Sequence, residues 1–132
     1  MLIRRFIEVA KDWLGAKTVV HAPPGISAQF LLRYGNLTFG TLSVQDGLWR
    51  FEYSEEFKRN DHLRPLIEFP DPDKVYQSPD LWQFFAMRIP SAERPEIEEI
   101  LRREDIPEDD AVRLLKRFGK RTIANPFELL AA

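Results

Sequence analysis

Residues 34–53 read YGNLTFGTLSVQDGLWRFEY, a run that contains two tight-turn signals between short apolar segments. Gly35-Asn36 is the first signal and leads from one extended segment into the next. Asp46-Gly47 is the second, because both residues tolerate the positive φ that a primed hairpin turn demands. The run therefore predicts three strands joined by two hairpins.

The third of these strands carries three large aromatic side chains at alternate positions. Trp49, Phe51 and Tyr53 share one face, because successive side chains of a strand point to opposite sides of the sheet. Same-face aromatic residues are typical of a core. Gly40, in the middle of the second strand, predicts a β-bulge or a close backbone approach.

A fourth strand and four helices are predicted around the hairpins. The polar stretch 54–64 is predicted to be a loop or a single helical turn. The predicted strands span residues 29–34, 37–44, 48–53 and 65–69. The predicted helices span residues 2–14, 79–87, 94–104 and 105–118.

The helix ends carry recognisable signals, except in the tail. Ser78 and Pro79 are predicted to be the N-cap and first residue of the second helix, and Gly119 is predicted to end the fourth. Residues 125–132 fit either a short helix capped by Asn125 or a returning strand. Strands followed by helices predict an α+β fold: a small antiparallel sheet from the hairpin-rich N-terminal half, with the C-terminal helices on one face.

The first helix, over residues 2–14, is amphipathic, and its apolar stripe fits either the core of its own domain or a partner. The 132 residues fit one domain. No apolar run reaches the roughly 20 residues that a membrane-spanning helix needs. Cysteine is absent, so disulfides, thiol catalysis and thiolate metal sites are excluded. We therefore expect a cytoplasmic protein without a membrane segment.

The sequence offers no convergent catalytic or metal-binding set. His21 and His62 are far apart, and zinc sites usually need three or four ligands. Gly119-Lys120 lacks the earlier glycine and the preceding strand of a phosphate-binding loop. Adjacent carboxylates such as Asp109 and Asp110 favour the start of a helix, where negative charge is stabilising. We therefore expect no metal, no cofactor and no enzymatic activity.

A cluster of cations near the end of the last predicted helix suggests an alternative, namely contact with DNA. In a helix-turn-helix arrangement this helix would enter a groove. Neighbouring carboxylates supply nearly as much negative charge, and a solvated helix face explains the same pattern, so direct binding of nucleic acid is not the favoured interpretation. The candidate residues are Lys116, Arg117, Lys120 and Arg121.

The short aromatic helix is the strongest candidate for a binding element. It contains Leu81, Trp82, Phe84 and Phe85, more large apolar side chains than one short helix can direct inward. We expect Trp82 to stay partly exposed, and exposed tryptophan is enriched at binding hot spots. Packing in the core is the alternative for this residue.

The order of these elements resembles the N-terminal subdomain of the HipA family of bacterial toxin kinases, from about Phe30 to Ile123. Each motif is weak alone, but their order and spacing together are fairly specific. The matching elements are Tyr34-Gly-Asn-Leu-Thr-Phe-Gly-Thr-Leu42, Phe51-Glu-Tyr53 with Glu56-Phe57, Arg64-Pro-Leu66, Phe84-Phe85 with Pro90, and Leu114-Leu115 with Gly119.

The chain departs from that family in what it lacks. It contains no His-Arg-Asp loop, no Asp-Phe-Gly and no Gly-rich nucleotide cover. It is similar to HipS, the free-standing antitoxin of tripartite toxin–antitoxin systems. This resemblance implies one domain with an N-terminal extension over 1–28, a family-like core over 29–124 and a tail over 125–132.

The same resemblance implies the partners. HipS binds a shortened Ser/Thr kinase, HipT, and a HipB-like protein supplies DNA binding in the complex. A DNA-associated subunit of a repressor complex, or a split HipA fragment active only with a kinase core, remains an alternative.

We expect inhibition of the kinase by occlusion of its cleft. The first candidates for this contact are Trp82 and the segment 70–78. Arg64 is a second candidate, because its guanidinium could reach a kinase carboxylate; alternatively, it forms a structural bridge within its own Arg-Pro turn. The residues predicted to contact the kinase are Trp82, Phe85, Arg64 and, within the segment 70–78, Asp73, Tyr76 and Ser78.

Overall fold

The computed structural model describes residues 19–132, so the predicted helix over residues 2–14 lies outside the described part of the chain. Five strands form one antiparallel sheet in the spatial order β4-β3-β2-β1-β5. The strands are β1 (Ala28–Tyr34), β2 (Leu37–Gln45), β3 (Leu48–Tyr53), β4 (Tyr76–Ser78) and β5 (Glu128–Ala131). The helices are α1 (Glu55–Lys58), α2 (Gln83–Ala86), α3 (Pro95–Arg103) and α4 (Ala111–Phe118). The predicted α+β fold is confirmed.

The two hairpin turns form where the sequence predicts them. Asp46 and Gly47 have φ of 52° and 74°, as a primed two-residue turn requires. Gly35 has φ of 59° and begins the turn between β1 and β2. These turns fix the register that places the apolar side chains of β1, β2 and β3 on one face.

Gly40 combines both of the features expected of it. The β1–β2 register shifts between Leu32 and Arg33, which pair with Gly40 and Thr38, so one extra residue bulges out of β2. A Cβ on Gly40 would lie 2.6 Å from the carbonyl oxygen of Glu52. Only glycine therefore lets β3 approach this closely.

The core lies on one face of the sheet. Trp49, Phe51 and Tyr53 are all buried there, which confirms the predicted aromatic face. Helix α4 covers this face with Val112 and Leu115. A second, smaller apolar cluster lies between α3 and α4 and comprises Ile97, Leu101, Ile106 and Leu114.

The fourth strand is not the predicted segment 65–69 but β4. A turn replaces the predicted strand because the Tyr53 hydroxyl accepts the N–H of Leu66, at 2.8 Å, and donates to the carbonyl of Phe69, at 2.6 Å. The N–H of Phe69 also donates to the carbonyl of Leu66. These bonds occupy backbone groups that a sheet ladder would need.

The predicted helix 79–87 begins only at Gln83, so Ser78 is not its N-cap. Ser78 ends β4, and its hydroxyl accepts the N–H of Asp80 instead. Residues 79–81 stay extended because they bond to residues 20–22. The aromatic helix is therefore only four residues long.

Helix α4 also begins later than predicted. Its N-cap is Asp110, whose carboxylate accepts the N–H of Arg113, so Asp109 and Asp110 precede the first turn rather than lie in it. Gly119 follows the helix as predicted. A Cβ at Gly119 would lie 2.6 Å from the carbonyl oxygen of Leu115, which explains the glycine.

The tail forms a returning strand rather than a helix. Strand β5 pairs with β1, with Leu129 opposite Leu32 and Leu130 opposite Leu31. Leu129 is buried against the core, and its N–H bonds to the carbonyl of Lys120. Pairing with β1 thus decides between the two alternatives.

Candidate partner-binding surface

Phe69 is the residue against which the two aromatic side chains of the predicted surface, Tyr76 and Trp82, pack. Its ring is fully buried, and the rings of Trp82 and Tyr76 pack edge-on against it with centroids 5.0 and 5.1 Å away. Both of these aromatic side chains are half-buried, so each keeps part of its surface in solvent. The structure therefore brings Trp82 and the segment 70–78 together through Phe69, and only residues 79–81 separate them in sequence.

The loop before β4 is folded back on itself. The Tyr76 hydroxyl accepts the N–H of Asp71, at 2.8 Å, and the Asp71 carboxylate accepts the N–H of Asp73, at 2.9 Å. The Lys74 ammonium lies 5.1 Å from the centroid of the Tyr76 ring, within cation–π range. These contacts give the loop a defined shape and leave Asp73 and Lys74 exposed.

Strand β4 determines which way this loop faces. Tyr76 and Ser78 pair with Phe51 and Trp49, so they share the core-facing side of the sheet, and Gln77 points to the other side. We call the group Asp73, Lys74, Val75, Tyr76, Ser78 and Trp82 the Trp82 surface. Ser78 contributes little area because it is half-buried and its hydroxyl is bonded to Asp80.

Phe85 does not belong to this surface, which corrects its predicted contact with a partner. Its side chain has no solvent exposure, and it packs against Phe51 and Phe69 at centroid distances of 5.7 and 6.1 Å. Phe85 lies on the side of α2 that faces the core, where it fills the space beside Phe51 and Phe69. Phe85 therefore packs in the core against Phe69, the residue that the Trp82 ring contacts.

Arg64 is exposed at the edge of the turn that Tyr53 closes. Within residues 19–132, no hydrogen bond or ion pair engages its guanidinium, so the structural bridge considered for it does not form among these residues. Among these residues the guanidinium therefore keeps all its donors unpaired.

The cations of the alternative DNA site are partly neutralised. The Nε atom of Arg117 lies 2.8 Å from a carboxylate oxygen of Glu104, and Arg121 lies 3.5 Å from Glu128. The hydrogen bond from Arg117 holds the pKa of Glu104 below its usual value. Lys116 and Lys120 are exposed and form no ion pair within the described range 19–132.

Sequence reasoning missed Arg88, which is only 4% exposed. Its guanidinium donates to the carbonyls of Gly119, Lys120 and Phe127, at 3.0, 3.3 and 2.9 Å, and to the side-chain oxygen of Asn125, at 3.1 Å. Burial lowers the pKa of Arg88. The available signal was a lone cation between Met87 and Ile89, directly after the aromatic helix.

The rest of the described structure offers no stronger candidate for a binding site. A shallow depression of about 440 Å³ is lined by Leu37, Glu56, Arg59, Asn60, Asp61 and His62 and contains none of the predicted contact residues. Residues 19–132 contain no group of three or more side chains suited to hold a metal ion. None of the helices in this range is long and apolar enough to cross a membrane.

Comparison with known proteins identifies the domain. The family described as "HipA N-terminal domain" matches residues 29–125, a range that contains β2, β3, β4, all four helices and every residue of the Trp82 surface. No curated protein and no solved structure gives a significant match. Since the family match covers most of the 132 residues, this chain belongs to the HipA N-terminal domain family.

Proposed function

We propose that this protein is a non-enzymatic, HipS-like antitoxin that binds and inhibits a HipA- or HipT-type Ser/Thr kinase in the cytoplasm. Membership of the HipA N-terminal domain family supports involvement in a HipA-type toxin–antitoxin context. That domain is a non-catalytic subdomain, which is compatible with a binding role. A HipB-like DNA-binding protein completes the proposed complex.

The observation that best supports this function is the state of Trp82. Its ring is half-exposed, and it packs edge-on against the buried ring of Phe69, with the two centroids 5.0 Å apart. An aromatic side chain that is already ordered loses little conformational entropy on binding. Tryptophan residues of this kind dominate the binding energy of many interfaces.

The proposed mechanism is occlusion. Trp82 enters the kinase cleft, and the loop from Pro70 to Ser78 covers its rim with Asp73 and Tyr76. Arg64 adds a charged contact to a kinase carboxylate, because a guanidinium can bind both carboxylate oxygens.

Co-expression with the HipA-type kinase of the source organism tests this function. We expect the two proteins to co-purify, and we expect phosphorylation by the kinase to fall as purified protein is added. Unchanged phosphorylation in the presence of excess folded protein would contradict the proposal.

A DNA-associated role is the second candidate, supported by the exposure of Lys116 in the last turn of α4 and of Lys120 just beyond its C-cap. If these lysines bind phosphates, DNA affinity falls steeply with salt, and Lys116→Gln with Lys120→Gln reduces the slope by about two. DNA binding with the same salt slope in that double variant would exclude this role for the two lysines.

A further inference from the structure

The segment just before Trp82 is held by a part of the chain that precedes the sheet. The N–H of Leu81 donates to the carbonyl of Val20, at 2.7 Å, and the N–H of Ala22 donates to the carbonyl of Pro79, at 2.9 Å. His21 and Asp80 pair as an antiparallel bridge between these two bonds. We call residues 20–22 the strap.

The strap lies outside the family match, which begins at residue 29. It nevertheless packs into the fold, because Val20 and Ala22 contact the same core cluster that holds Trp82. The strap therefore contacts the segment leading into the Trp82 surface from outside the matched range.

Backbone hydrogen bonds, rather than the side-chain contact between His21 and Asp80, hold the strap to this segment. The His21 Nδ1 atom lies 2.7 Å from Asp80 Oδ1, but the two side chains are 79% and 49% exposed. Exposed pairs contribute little because water and salt screen them. The two backbone hydrogen bonds and the apolar contacts of Val20 and Ala22 hold the strap in place.

The strap also explains the backbone conformation around Trp82. Strand β4 ends at Ser78, so residues 79–81 have left the β3 ladder. Trp82 has an extended backbone, with φ of −61° and ψ of 147°, and no side-chain cap orders its helix. The bonds to the strap end one residue before Trp82.

We propose that the strap is a positioning device that fixes the orientation of Trp82 for the partner kinase. The expected effect on kinase binding rests on the proposed function, because a less ordered Trp82 would bind the kinase more weakly. The positioning itself concerns only this chain and can be measured without a partner.

Ala22→Pro tests the strap because it removes the N–H that donates to Pro79. Val19→Pro is the matched control, since within residues 19–132 the N–H of Val19 donates no hydrogen bond. In protein labelled with 5-fluorotryptophan, the three tryptophan ¹⁹F resonances are assigned by single Trp→Phe substitutions. The Trp49 resonance reports the core, and the Trp82 resonance reports the surface.

We expect Ala22→Pro to shift or broaden the Trp82 resonance, to leave that of Trp49 in place, and to weaken kinase binding by about threefold to tenfold, the loss of one or two hydrogen bonds. Val19→Pro should leave both resonances and the affinity for the kinase unchanged. An unchanged Trp82 resonance with Ala22→Pro would overturn the proposal.

Two further outcomes separate the strap from the proposed function. If Trp82 responds as expected but the wild-type protein binds no kinase, positioning stands and the antitoxin function fails. If Ala22→Pro also displaces the Trp49 resonance, the substitution disturbs the core, and Val20→Gly is tested in its place. Val20→Gly removes the apolar contact of the strap without introducing a proline ring. A Trp82 resonance unaffected by that variant would likewise overturn the proposal.

Discussion

Tyr53 joins β3 to the turn that supports Phe69 through a single hydroxyl group. The hydroxyl accepts from Leu66 and donates to Phe69, and the ring stacks on Phe57. Removing the hydroxyl leaves the partly buried N–H of Leu66 and the buried carbonyl of Phe69 without this partner. We expect Tyr53→Phe to lower the free energy of unfolding by about 2 kcal/mol, measured by urea denaturation.

The same hydroxyl makes stability depend on alkaline pH. Burial raises the pKa of Tyr53 from 10.0 to about 12. Because the folded-state pKa is the higher one, this contribution is fully present below the unfolded value and is lost as pH rises towards the folded value. Between about pH 10 and pH 12 we expect the wild type to lose more stability than Tyr53→Phe. If the free energy of unfolding falls equally with pH in both proteins, Tyr53 is not the source of the pH dependence.

Arg88 couples the end of the aromatic helix to the segment that leads into β5. Lysine keeps the charge but cannot reach all four acceptors, so Arg88→Lys should lower the free energy of unfolding by about 3 kcal/mol or more. Arg50→Lys, on the exposed side of β3, is the matched control and should cost about 0.5 kcal/mol or less. Equal effects of the two substitutions would show that the buried hydrogen bonds contribute nothing.

Among the elements, β2 depends most on one residue, Gly40. A Cβ there would meet Glu52 oxygen and the Phe51 ring, at 2.6 and 2.7 Å. We expect Gly40→Ala to lower the free energy of unfolding by about 2 kcal/mol, because backbone must move. Thr41→Ala, in the same strand, should cost about 1 kcal/mol or less. A neutral Gly40→Ala in thermal denaturation would mean that β3 can shift without cost.

The elements that the sequence predicts well are those fixed by local chemistry. The Asp46-Gly47 turn and the alternation of Trp49, Phe51 and Tyr53 need no distant partner. The missed element, β4, is three residues long and forms only because Tyr76 and its neighbours pair with β3. Residues 79–81 stay extended because of the strap, which no local pattern reveals.

In the candidate site, too, features set by local sequence could be predicted and features set by distant contacts could not. Partial exposure of Trp82 follows from crowding on a short helix. The burial of Phe85 and the role of Phe69 could not be predicted, because they depend on a turn closed by Tyr53. Arg88 was missed since its acceptors lie more than thirty residues away.

At the scale of the whole molecule, one sheet carries different features at its two edges. Strand β4 and the Trp82 surface lie at one edge, and β5, held by Arg88, lies at the other. Tyr34, on β1 beside β5, is an aromatic residue with 48% exposure. It therefore provides a control for Trp82 on the opposite side of the fold.

Isothermal titration calorimetry of the HipA-type kinase with wild-type protein, Trp82→Ala and Tyr34→Ala tests the proposed antitoxin function most directly. We expect Trp82→Ala to weaken binding about thirtyfold, as for a hot-spot residue, and Tyr34→Ala to stay within about threefold of the wild type. Circular dichroism is the control that checks whether both variants are folded. Wild-type affinity for folded Trp82→Ala would contradict the central role of this residue.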